Sequence, residues 1–294
     1  MKLRYIIPLF FIILITACND DEDDKKKDTQ SDIIFNVGIL ESATQTSYTP
    51  INAGVKATFY AFKAGTDIPV AEGNYYASTS GQMTGLNNYI MYLLPGNYDF
   101  YGISQNNTDL FLPLNNLESS NLKNGVDYLW TNITNKSITG ASTLLSVTFQ
   151  HIASKLTFEL ESGNNVKLNT IDSILIQTPV EDVKLNLLKS SLSQTTSLNA
   201  AFTPMSISGL NSDYYLLPVN PTTPLKSHFF LKINNQTNES LYALDIVLPS
   251  GGFQSGKSYN YKLSISETEI IIKAYTVSDW IVNDNTGNPI YPED

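Results

Sequence analysis

The chain has 294 residues, with 18 Lys and Arg against 28 Asp and Glu, a formal net charge of −10 at pH 7. An acidic body argues against nucleic acid and against anionic lipid held by charge, and a single cysteine excludes an internal disulfide. The length allows two domains of ordinary size, and 17 Tyr and 13 Phe among many Thr, Ser, Asn and Gly favour strands and turns over helices.

Lys2 and Arg4 precede an apolar run over residues 6–15, interrupted only by Pro8. About ten apolar residues suit a signal-peptide core and fall short of a membrane span. Thr16 and Ala17 then precede Cys18, and residues 15–18 resemble the bacterial lipoprotein signal, in which the chain is cut before the cysteine and its thiol is lipidated. Residues 1–17 are therefore expected to be the leader, with Cys18 as the lipidation site. Losing Lys2 and Arg4 leaves 16 basic against 28 acidic residues, a net of −12, and removes the only arginine. The acidic run Asp20, Asp21, Glu22, Asp23 and Asp24 reads as part of a solvated tether over 18–31. It also resembles the acidic export signal that sends Bacteroidetes lipoproteins to the outer face of the outer membrane.

Further along, residues 33–40 form an apolar strand candidate, and a polar loop follows over 41–54. Strict alternation over 55–62 puts Val55, Ala57, Phe59 and Ala61 on one face of a strand. A turn is expected over 65–69 and a strand over 88–94. Pro95-Gly96 between apolar runs predicts a hairpin; the strand–Leu-Pro-Gly-X-Tyr–strand pattern resembles transthyretin-like β-sandwiches. Residues 106–142 are rich in Asn, Leu, Thr and Ser, and a domain break is placed near Gly140. This gives domains over 32–140 and 141–294. Residues 145–160 read as two strands of period two around a kink at Ile152-Ala153. Further strands are expected over 173–177, 183–188, 214–217, 229–233, 241–248, 258–266 and 270–275, with Gly, Pro, Asn or Ser between them. The predicted fold class is all-β, two tandem antiparallel β-sandwiches behind a lipoprotein leader.

Four pieces of the second half then point to one family. Residues 147–156, Val-Thr-Phe-Gln-His-Ile-Ala-Ser-Lys-Leu, resemble the V-x-F-x-H-x-x-A/S-K-L segment of the fimbrillin-like (Mfa-like) proteins of the Bacteroidales. Residues 214–218 resemble their Y-x-L-P element, residues 253–261 their G-K-x-Y-x-Y strand entry, and residues 277–280 their closing V-x-x-W. The resemblance covers about 32–281. It implies two transthyretin-like sandwiches and a structural or adhesive subunit of type V fimbriae, lipid-anchored to the outer membrane at the cell surface. Its partners would be other fimbrial subunits joined by strand exchange, with a host protein or glycan as a further ligand. The mechanism implied is removal of the first strand and its replacement by a neighbour's, where main-chain hydrogen bonds give affinity and side-chain pockets give register. Here the displaceable strand would carry Ile33, Phe35, Val37 and Ile39. Some members are cut after arginine; none survives here, which leaves Lys56 and Lys63 as maturation sites, or an uncut chain. The tail over 281–294, with Gly287, Pro289 and Pro292, is a poor donor strand, which favours an anchor or accessory subunit over a stalk subunit.

No catalytic, cofactor or metal pattern competes. His151 and His228 fit no ligand spacing, and His151 reads as a packing or hydrogen-bonding residue at the kink. Neither G-x-S-x-G nor a phosphate loop occurs. The alternative reading is a surface glycan-binding lipoprotein, with Tyr75, Tyr76, Tyr89, Tyr92, Trp130, Tyr214 and Tyr215 as an aromatic platform.

Overall fold

A computed structural model describes residues 30–40, 48–78 and 81–280. Cys18, the acidic run and the tail after Trp280 lie outside the described residues. The regular structure of the described chain is nearly all strand. In order, the strands are β1 (Ser31–Leu40), β2 (Tyr48–Pro50), β3 (Lys56–Lys63), β4 (Pro69–Ala77), β5 (Met83–Gly85), β6 (Met91–Leu93), β7 (Gly96–Ser104), β8 (Leu129–Ile138) and β9 (Ser142–His151). There follow β10 (Ser154–Ser162), β11 (Leu168–Pro179), β12 (Leu198–Pro204), β13 (Ser206–Ser208), β14 (Asn211–Leu216), β15 (Leu225–Ile233), β16 (Ser240–Ile246), β17 (Lys257–Ile265) and β18 (Ile270–Asp279).

The first sandwich is one ribbon of strands folded over itself. Its larger sheet runs β8-β7-β3-β4-β5, and its smaller sheet sets β1 beside β9. The two are joined by strand pairing at the β8–β9 corner, through Leu129↔His151 and Trp130↔Gln150. Between them Ile33, Phe35, Val37 and Ile39 pack against Ala57, Phe59, Ala61, Tyr75 and Phe100, closed by Leu145, Val147 and Phe149 of β9. The second sandwich stacks the sheet β13-β14-β10-β17-β18 on the sheet β12-β11-β15-β16. Phe158 meets Phe229 across its core, ring centroids 5.4 Å apart.

A third apolar cluster welds the two sandwiches together. It covers the outer face of the larger first sheet, where Tyr60, Phe62, Ile103 and Trp130 meet Phe111, Leu122, Val183, Leu185, Leu187 and Trp280. Six consecutive positions of β3 are therefore buried, on both faces. The alternation expected over 55–62 marks the face toward the first core, while Tyr60 and Phe62 fill the other layer.

Several expectations change. Most pairing is antiparallel, but β1 runs parallel to β9 and β10 parallel to β17. The chain passes from the sheet of β1 and β9 to that of β10 at Ile152-Ala153. Beyond Gly140, β9 still pairs with β1 and supplies Leu145, Val147 and Phe149 to the first core. Pro95-Gly96 does not make a hairpin, because β6 pairs with β1 whereas β7 pairs with β3 and β8. That turn passes the chain from one sheet to the other. Residues 183–188 alternate as expected but form no strand. They bond edgewise to 117–122, through Ser119 N–H to Leu185 O (2.9 Å) and Leu122 N–H to Val183 O (2.8 Å).

Candidate functional site: the first strand and its groove

Residues 33–39 alternate so that every second side chain faces inward, and all four predicted positions are buried. Phe35 is the anchor. Its ring stacks on Phe59 with centroids 4.1 Å apart and planes 7° apart, and meets Tyr75 and Phe100 edge-on at 5.2 and 6.1 Å. Burying four such side chains contributes about 1.5–3 kcal/mol each, on the order of 6–12 kcal/mol for the strand. That rivals the net stability of a domain. A sandwich that lost β1 would expose an apolar slot it could not leave open to water.

The backbone pairing of β1 is unequal on its two sides. One edge runs in register with β9 from Asp32↔Ser142 to Ile39↔Phe149. The other edge is closed by three short pieces. β6 covers Ser31 to Ile33, Val37 N–H donates to Gly81 O at 2.9 Å beside the Asn36↔Gln82 bridge, and β2 covers Gly38 to Leu40. Short edge pieces are a common way to protect a sheet margin. Next to β1, a shallow groove of about 210 Å³ is lined by Asn36, Gly38, Pro50, Ser146 and Thr148.

Lys56 and Lys63 are the first and last residues of β3, which pairs with β4 on one side and β7 on the other. The Lys56 carbonyl accepts from Ser104 Oγ at 2.6 Å. Lys63 Nζ donates to Tyr98 Oη at 2.8 Å and sits 4.3 Å from that ring's centroid. Both candidate cleavage points thus bound the central strand of the larger sheet.

The histidines lie in different sandwiches. His228, on β15, stacks on Phe202 at 4.2 Å. His151 closes β9 at the kink, buried, with Nδ1 2.7 Å from Asp127 Oδ1. Asn106 Nδ2 donates to the other Asp127 oxygen at 2.7 Å. The imidazole stacks on Trp280 (4.0 Å), whose far side carries Tyr215 (5.2 Å). Burial, followed by the charges of Asp127 and Asp213, pushes the Tyr215 phenol up to about 12. Among the described residues His151 Nε2 has no hydrogen-bond partner, and no hydroxyl stands where a nucleophile triad would place one. The His–Asp pair joins the end of β9 to the segment before β8 within the first sandwich, and holds the imidazole on which Trp280, at the end of the second sandwich, stacks. Asp127 escaped notice in the sequence; the only available signal was that a buried histidine needs a partner.

The aromatic platform is dispersed. Tyr75 lies in the first core, and Trp130 lies in the third cluster, donating Nε1–H to Leu187 O at 2.7 Å. Tyr76 and Tyr92 are exposed, while Tyr89, Tyr214 and Tyr215 are half-buried.

Two welded β-sandwiches, the first closed by a strand with one long parallel partner, place the molecule among tandem β-sandwich proteins. The chain belongs to the fimbrillin-like family, whose model matches residues 43–280. Among solved structures it is similar to a candidate cell adhesion protein from Bacteroides uniformis, with a TM-score of 0.66 at 15% identity, covering 86% of this chain and 98% of that one. A second, from Bacteroides ovatus, gives a TM-score of 0.63 at 15% identity, covering 87% and 99%. At such identity these likenesses show a shared fold. No curated protein matches.

Proposed function

We propose that this chain is a surface-exposed lipoprotein, held at the outer membrane through Cys18, that acts as a structural and adhesive subunit of type V fimbriae. Its contacts with other subunits form by β-strand addition, and its place is that of an anchor or accessory subunit rather than a stalk unit. The observation that supports this reading is β1: a wall of the first core, with one long backbone partner and an edge closed by three short pieces. In a subunit that loses β1, a strand of matching alternation can occupy its slot, gaining main-chain bonds from β9 and pockets from Phe59, Tyr75 and Phe100.

The anchor position follows from where the lysines stand. Between Lys27 and Lys56 the chain has neither Lys nor Arg. Cutting after Lys56 or Lys63 requires β3 to leave both its partners, a protease needing an extended, unpaired segment. This supports the reading in which the chain keeps β1 and its lipid. The structural neighbours solved as candidate adhesion proteins support the adhesive part.

The deciding experiment is N-terminal mapping of the protein from whole cells and from sheared fibres, in wild type and in Cys18→Ala. An intact form beginning at Cys18, required for fibres to stay on cells, is expected. A fibre-borne form beginning after Lys56 or Lys63 would make it a stalk or tip unit. Absence from fibres, with fibres unaffected by its deletion, would defeat the fimbrial reading.

A further inference from the structure

The end of the first sandwich where β1 begins is unusually apolar on the outside. Three connections meet there. Ala64 N–H bonds Asn97 O (3.0 Å), Gly96 pairs with Ile138, and Asp32 N–H bonds Ala141 O (2.9 Å). Ser31 and Asp32 pair with Leu93 and Tyr92 of β6, and Asp32 and Ile34 with Ser142 and Leu144 of β9. Around that entry point stand Ile68, Leu144, Leu94, Ile90 and Tyr92, exposed by 73, 60, 53, 45 and 39%. Inward-facing Met91 and Leu93 alternate with outward-facing Ile90, Tyr92 and Leu94, so the last three share one surface. Grouped apolar side chains of this kind mark a contact surface.

The position of the tether tells what covers it. Only residues 19–30 separate Cys18 from Ser31. Even fully extended, such a segment spans about 40 Å. The tether enters the body inside the apolar patch itself, so lipidation at Cys18 holds this end nearest the bilayer. We propose that Ile68, Ile90, Tyr92, Leu94 and Leu144 form a membrane-seating surface, which dips into the interfacial layer of the bilayer that holds the acyl chains and fixes the orientation of the subunit. Leucine, isoleucine and tyrosine are suited to that layer. With a net charge of −12 once Lys2 and Arg4 are lost, the chain gains nothing from an anionic surface by charge, so the contact rests on these side chains. The second sandwich then points away from the membrane. The inference rests on the anchor reading, and its test separates the two.

Full-length chain would be produced in a host that lipidates it and reconstituted in phosphatidylethanolamine–phosphatidylglycerol vesicles. With Cys18 blocked by lipid, single variants Leu144→Cys, Leu94→Cys and, on β16 of the second sandwich, Leu241→Cys accept a fluorescent thiol probe. Doxyl-labelled lipid with a shallow quencher should halve emission at 144 and 94, independently of protein density, and leave 241 unchanged. Equal, weak quenching at all three positions in chain that floats with vesicles would overturn the seating surface while leaving the anchor intact. Chain that does not float would defeat the anchor reading and this inference with it. Probe burial at 144 that rises with protein density and occurs without quenching by doxyl lipid would assign the patch to a second copy, overturning the proposal.

Discussion

Truncating Phe35 to alanine gives the sharpest test of β1 as a wall of the first core. The ring is fully buried, stacked on Phe59 and edge-on to Tyr75 and Phe100. Removing a core phenylalanine costs about 3–5 kcal/mol through lost transfer energy and the cavity left behind. Aromatic pairs add about 0.5–1.5 kcal/mol each beyond area, so Phe35→Ala should fall in the upper half of that range, at about 4 kcal/mol. The neighbouring Ile34→Ala acts on the outward face and should cost under about 1 kcal/mol. Urea unfolding of the full-length chain, followed by far-UV circular dichroism, measures both. If Phe35→Ala cost no more than Ile34→Ala, β1 would not be integral to the core, and the reasoning that its loss opens a slot needing a replacement strand would fail.

Other consequences can be checked in the same preparations. Asp127→Ala strips the carboxylate from the buried His151 and from the Asn106 amide and should destabilise by about 3 kcal/mol; a cost under about 1 kcal/mol in denaturant melts would show that the pair does not secure the junction. Tyr60, Tyr215 and Tyr259 are pushed up to about 12, chiefly by burial. Their contribution is full below pH 10, the ordinary tyrosine value, and is lost as pH climbs through about 12. Absorbance at 295 nm should therefore show a set of buried tyrosines that ionises only as the fold is lost above pH 10, and complete ionisation near pH 10 with the fold intact would contradict their burial. Gly252, at φ +70°, leaves room for a Cβ only 2.3 Å from the Val219 carbonyl oxygen; Gly252→Ala should lower the Tm of the chain by several degrees, and an unchanged Tm would contradict that close approach. Replacing Asp20, Asp21, Glu22, Asp23 and Asp24 with alanine should leave lipidation intact and abolish protease accessibility on whole cells; unchanged accessibility would remove the export role of the run.

Alternation alone determined a good deal here. The inward set Ile33, Phe35, Val37 and Ile39, the strands of the second half from β14 to β18, and the kink at Ile152-Ala153 were all legible, because a period of two reports which side chains face a core and is a local property. The four motifs behind the fimbrillin-like resemblance are likewise continuous in the chain. Tertiary structure decided the rest. Residues 183–188 alternate like a strand, yet their alternate side chains are buried by a loop packed on a loop, since burial of one face does not require a sheet partner. The parallel pairing of β1 with β9, about a hundred residues apart, depends on which backbone edges meet, and that choice keeps the chain up to His151 in the first sheet. Nor does any local pattern tell that β3 is covered on both faces, or that Asp127 reaches His151. Those depend on the third cluster, which exists only once both sandwiches are folded and pressed together.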